Sequence, residues 1–187
     1  MVYSVGRFVK NVKVKIIMAG EPGAGKSFIA QTADVCVPAR KIGVSIGKIS
    51  EAFSDTSVEM TLLTWTITSK RPTESTHLKQ AEAAIIVCDL KKPKTVEQIP
   101  FWADRIQEIA GDIPIFFAAI NAHIEYWDQV IWLRDMALKY HSTYFPINRD
   151  DLDSARKLFR TIAEILALDF IERKASGLES VQISENA

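Results

Sequence analysis

The sequence predicts an α/β fold, a mostly parallel sheet of six strands with helices on both faces. Apolar runs of strand length alternate with stretches whose apolar residues recur at helical spacing, the pattern of successive strand–helix units. The central runs, Ala83-Ala84-Ile85-Ile86-Val87-Cys88 and the stretch from Ile113 to Ile120, are almost wholly apolar, as strands covered on both faces must be. A chain of 187 residues, 48% of them apolar and 25% charged, suits one domain with a full core.

Each element has its own signal. Val12, Val14 and Ile16 alternate with lysines and run into Ile17-Met18-Ala19, a strand entering the core. A short helix is expected from Lys26 to about Ala33, with Pro38 breaking the chain beyond it. Residues 42–49 and 58–67 read as two strands joined at Ser54-Asp55-Thr56-Ser57, an antiparallel pair. The polar, proline-bearing stretch from Thr68 to Thr76 reads as a loop, and the strand at Ala83–Cys88 follows. Ile99, Trp102, Ile106 and Ile109 mark one face of a helix. After the Ile113–Ile120 strand come a helix from about Trp127 to Tyr140, a short strand over Thr143–Ile147 and a last helix. That helix carries Leu152, Ala155, Leu158, Phe159, Ile162, Ile165 and Leu166, and Asp150, Asp151 and Asp153 suit the positive end of its dipole. The domain is expected over residues 1–171, with a polar tail over 172–187 that frays.

The chemistry is concentrated in Gly20-Glu21-Pro22-Gly23-Ala24-Gly25-Lys26-Ser27, the complete G-x-x-x-x-G-K-S signature of a phosphate-binding P-loop. The glycines allow successive backbone N–H groups to turn inward as an anion cradle. The helix beginning at Lys26 directs its N-terminal dipole at the same place. Lys26 is expected to reach the β- and γ-phosphates and the Ser27 hydroxyl to hold Mg²⁺. A strand before the loop and a helix after it supply the context of a P-loop NTPase fold. The loop by itself does not read the base, so GTP and ATP both remain open.

Composition narrows the partners. Lys plus Arg equals Asp plus Glu at 23 each, so no bulk charge points to nucleic acid or an anionic membrane. Cys36 and Cys88 have neither C-x-x-C spacing nor a histidine cluster and read as buried small apolar residues in a reducing compartment. No apolar run reaches the roughly 18 residues of a membrane span. With Val at position 2 and no cysteine among Ser184-Glu185-Asn186-Ala187, no lipid anchor is expected, and the expected location is cytoplasmic, with protein partners.

With the later segments added, residues 11–170 resemble the Ras superfamily of small GTPases, nearest to Rab-like members. Lys41-Ile42-Gly43-Val44 is similar to the first switch segment, Trp65 stands where the family has Trp before Asp-Thr-Ala-Gly, and Ala83–Leu90 is similar to the fourth strand with its trailing Asp. The resemblance implies GTP or GDP with Mg²⁺ as ligand and protein effectors or regulators as partners. It implies site residues Gly20 to Ser27, Phe28 and Asn121, with Ser27 on the metal.

The departures are chemical. Trp65 is followed by Thr66-Ile67-Thr68-Ser69, so the carboxylate that supports Mg²⁺ through water is gone, and Lys70 or Arg71 occupies the neighbourhood of the water-orienting Gln. The switch threonine reads as Lys41, an ammonium that cannot ligate a metal. Of the guanine-reading Asn-Lys-x-Asp only Asn121 survives, in Asn121-Ala122-His123-Ile124, with Glu125 as the nearest candidate carboxylate. His123 has no partner carboxylate at fixed spacing and reads as an exposed loop residue. Pro146-Ile147-Asn148-Arg149 replaces the Ser-Ala-Lys loop. Three readings follow. The first is a nucleotide-dependent switch with slow hydrolysis, and the second a non-catalytic pseudo-GTPase scaffold. The third is a small ATPase using Asp89 for Mg²⁺, which requires the Asp89 strand beside the P-loop strand.

Overall fold

A computed structural model describes residues 10–32, 43–53, 56–66 and 78–175. Its strands are β1 (Lys10–Ala19), β2 (Gly43–Phe53), β3 (Thr56–Thr66), β4 (Ala83–Asp89), β5 (Ile115–Ile120) and β6 (Thr143–Ile147). Its helices are α1 (Lys26–Thr32), α2 (Pro93–Glu97), α3 (Ile99–Ala110), α4 (Trp127–Lys139) and α5 (Leu152–Ala175), with 3-10 turns at Leu78–Gln80 and Ile124–Tyr126.

The strands form one mixed sheet in the order β2-β3-β1-β4-β5-β6. β1 runs parallel to β3 and to β4, β4 to β5 and β5 to β6, whereas β2 and β3 pair antiparallel. The fold is therefore α/β as expected, but the six-stranded sheet is mixed rather than the mostly parallel one expected, because the long β2 runs antiparallel to β3.

Side chains alternate across the pleat and so divide between two cores. Val12, Val14, Ile16 and Met18 of β1 join Ile85, Val87, Phe116, Ala118 and Ile120 on the face covered by α1 and α5. The α5 residues Ala155, Leu158, Phe159, Ile162 and Leu166 follow the spacing read from the sequence and are all buried there. Ile17 and Ala19 fall on the other face with Ile86, Cys88, Phe117 and Ala119, under Trp102 and Ile106 of α3 and Leu133 of α4. Cys88 is buried as expected, and burial, with the Asp89 charge adding to it, pushes its thiol up to about 12; Cys36 lies outside the described residues.

Several boundaries differ from the sequence expectation. β2 runs on to Phe53 and β3 starts at Thr56, so Thr56 and Ser57 of the expected turn belong to the strand. The stretch before α3 is a separate helix, α2, and Gln98 (φ −87°, ψ −1°) joins the two; Pro100 in the first turn of α3 has no N–H to continue the earlier ladder. The fifth strand starts at Ile115 rather than Ile113. The last helix continues through Ala175 instead of giving way at 172, with an Arg173–Asp169 ion pair of 2.6 Å bridging its last turns. The polar stretch from 176 onward lies outside the described residues.

Candidate functional site

The carboxyl ends of β1, β4, β5 and β6 open on the same edge of the sheet. The chain leaves β1 toward β2 and β3 on one side and returns to β4 on the other, so a topological switch point lies between β1 and β4. Open α/β sheets bind ligands in the crevice at such a point. The Gly20–Ser27 loop issues from β1 directly into it.

Packing dictates the glycines of the loop. Gly20 has φ +139°, and a Cβ there would stand 2.3 Å from the Val87 carbonyl oxygen of β4. Gly25 has φ +103°, and a Cβ would meet Ile120 Cδ1 of β5 at 2.1 Å. Both positions need a residue without a side chain. Ala24 is fully buried, its N–H donating to the Glu21 carbonyl at 3.1 Å, while Pro22, Gly23 and Ser27 are exposed. Phe28 is half-buried and packs against the α1/α5 core.

Lys26 opens α1 and turns back over the loop. Its ammonium donates to the Gly20 carbonyl at 2.6 Å and to the Glu21 carbonyl at 2.9 Å. An ammonium has three protons, so one donor remains for a ligand. Burial pushes Lys26 down to about 8, against the opposing pull of the Glu21 carboxylate. Ser27, the expected Mg²⁺ ligand, follows Lys26 and is exposed. Among the described residues, no three His, Cys, Asp or Glu side chains gather into a metal site of their own.

Asp89 ends β4 and is almost completely buried. Its Oδ1 accepts from Asn121 Nδ2 at 2.6 Å and from the Lys91 N–H at 3.1 Å. Its Oδ2 faces Lys92 Nζ at 3.6 Å and Arg149 Nη2 at 3.9 Å. The Thr95 hydroxyl accepts from the Asp89 N–H at 2.9 Å and holds the turn in place. Lys92 also donates to the Gly23 carbonyl at 2.8 Å, and the Arg149 guanidinium lies over the Phe28 ring at 5.2 Å.

The structure thus brings the Gly20–Phe28 segment and Asn121 to one crevice. Asn121 takes φ +58° at the end of β5, and its side chain is committed to Asp89. Glu125 and His123 are exposed on the turn beyond it. Thr66 ends β3, opposite Gly43 of β2. Lys41, Ile67 to Ser69, Lys70 and Arg71 lie outside the described residues. Lys92 is not legible as a site residue, and Arg149 is legible only as part of the segment that replaces the Ser-Ala-Lys loop.

No protein family and no curated protein shows a significant match to this chain.

Proposed function

We propose that the chain binds GTP or GDP with Mg²⁺ through Gly20–Ser27 and serves as a small GTP-binding protein of the Ras/Rab kind, a nucleotide-dependent switch or scaffold with weak or absent hydrolysis. The observation that carries this reading is the position of Lys26. A buried ammonium stands at the mouth of a strand–loop–helix unit whose Gly20 and Gly25 have no room for a Cβ, at the switch point of the sheet. The antiparallel β2–β3 pair directly after α1, and helices on both sheet faces, support a small-GTPase-like P-loop fold.

The loop amides and Lys26 would hold the phosphates, and Ser27 the metal. Bound Mg²⁺ would supply charge neutralisation between the phosphate oxygens. Weak hydrolysis follows from Trp65-Thr66, where a neutral residue stands in place of the family's carboxylate. The ATPase reading has one observation in its favour, since β4 lies beside β1. Against it, Asp89 is buried and its Oδ1 already accepts from Asn121 and the Lys91 N–H.

The test is titration with fluorescent GDP, GTP and ATP analogues, with and without Mg²⁺, followed by phosphate release. Guanine preference with slow or no release is expected. ATP preference abolished by Asp89→Ala supports the ATPase instead. A Lys26→Ala variant that binds every nucleotide as well as the parent would falsify the phosphate site.

A further inference from the structure

Lys26 is not the only cation at the loop. Lys92 precedes α2 and Arg149 follows β6, so two elements distant in sequence deliver positive charge to the same turn. Lys92 Nζ bonds the Gly23 carbonyl, and a Cβ on Gly25 would lie 4.0 Å from Arg149 Nη2. Among the described residues, three cations thus stand at the loop, with Asp89 and Glu21 as the nearby carboxylates.

The distances separate anchored groups from movable ones. Asp89 Oδ1 is fixed by two hydrogen bonds, and the carboxylate is buried. Its Oδ2 lies 3.6 and 3.9 Å from Lys92 and Arg149, beyond the hydrogen-bond range of about 2.7–3.2 Å. Charge attraction therefore draws the two cations toward Asp89 without a close hydrogen bond, while Lys92 spends one of its three donors on the Gly23 carbonyl and Arg149 rests over the Phe28 ring. Their side chains keep 53% and 45% of their surface exposed, against 4% for Asp89. Each keeps donors beyond these contacts for an incoming anion, two on the Lys92 ammonium and the N–H fork of Arg149.

We propose that Lys92 and Arg149 are a second set of phosphate-receiving groups in this site, held at the loop by Asp89 and handed over to a polyphosphate chain when it enters. The proposal rests on the phosphate-binding reading above and deepens it. The loop and Lys26 hold one part of the chain, while Lys92 and Arg149 select ligands with further phosphates. Arg149 presents a planar fork suited to two phosphate oxygens at once, and Lys92 a point charge. Asp89 is a positioning residue: it pre-orients the two cations and competes for them.

The test measures binding of inorganic phosphate, tripolyphosphate and GTP by calorimetry at two salt concentrations. The proteins are the parent, Lys92→Gln, Arg149→Gln, Asp89→Asn and Lys26→Ala. Lys92 and Arg149 are half-exposed, so their variants should fold; melting temperatures check this. Each is expected to weaken tripolyphosphate and GTP about tenfold and to flatten the salt dependence, with little change for inorganic phosphate. Asp89→Asn retains an acceptor for Asn121 and is expected to tighten tripolyphosphate a few-fold, about threefold, by removing the competitor. Lysine and arginine variants that bind tripolyphosphate as the parent does, or an Asp89→Asn variant that weakens it, overturn the proposal. If Lys26→Ala alone abolishes binding, the phosphate-binding reading stands and this inference fails. A parent that binds none of the three probes removes both.

Discussion

Asn121 Nδ2 donates to Asp89 Oδ1 across 2.6 Å and so ties together the ends of two neighbouring parallel strands, β5 and β4. Both residues are buried. Asn121→Ala leaves that oxygen with the Lys91 N–H alone and is expected to lower stability by about 1–3 kcal/mol. Asn121→Asp is the sharper change, because it sets two carboxylates against each other. Its deficit should be larger at neutral pH and shrink as acid protonates one of the pair. Urea denaturation of both variants at pH 7 and pH 5 checks the order; equal loss at both pH values for Asn121→Asp contradicts it.

The glycines of the loop should not be equally sensitive. Gly20→Ala drives a Cβ into the backbone carbonyl of Val87 and is expected to cost on the order of 3 kcal/mol. Gly23 has φ +78°, and a Cβ there meets only the flexible end of Lys92, at 3.4 Å. Its replacement by Ala should cost about 1–2 kcal/mol, the strain of a left-handed residue. Thermal melts of the two variants side by side give the comparison.

Lys26 sets a pH dependence. In the unfolded chain it titrates near 10.5 and in the fold at about 8, so the folded state disfavours its charge. The resulting penalty on stability is fully present below about 8 and is relieved as pH rises from there toward 10.5, where the unfolded chain holds the extra proton. Ligand binding runs the other way, since phosphate needs the ammonium. Affinity for nucleotide is expected to fall above about 8, with proton uptake on binding. Calorimetry in two buffers of different ionisation enthalpy at pH 8.5 measures that uptake, and an unchanged heat between buffers counts against it.

Thr64 carries a buried hydroxyl on β3 that finds no hydrogen-bond partner among the described residues. Valine has nearly the same shape without the polar atom. Thr64→Val is expected to raise stability by about 1 kcal/mol, read as a higher denaturation midpoint at unchanged slope.

What could be read from the sequence was what is local in the chain. The phosphate loop is eight consecutive residues, and strand alternation shows in β1 without any knowledge of its neighbours. The same holds for the α5 face, where Leu158, Phe159 and Ile162 recur at helical spacing and are buried. The break between α2 and α3 needed attention to one proline. The Asp89 cluster could not be read this way. Lys92 and Arg149 meet only because the sheet order brings the ends of β4, β5 and β6 to one edge, and no spacing in the sequence encodes that order. Asp89 is legible as a carboxylate closing an apolar strand and Asn121 as a site residue, but the pairing of the two and the cations beside them are not.

The place of β1 at the centre of the sheet bears on how the chain is made. Among the described strands it comes first in the chain, yet both of its partners, Thr56–Thr66 and Ala83–Asp89, come later. The β2–β3 hairpin can close locally as soon as it emerges. The strand that carries the phosphate loop stays unpaired on its second edge until β4 has been translated. Long-range parallel pairing of this kind closes slowly and leaves apolar strand edges open meanwhile. The Val12–Ala19 segment thus keeps one apolar edge open during synthesis, and truncations ending before Ala83 should aggregate through it.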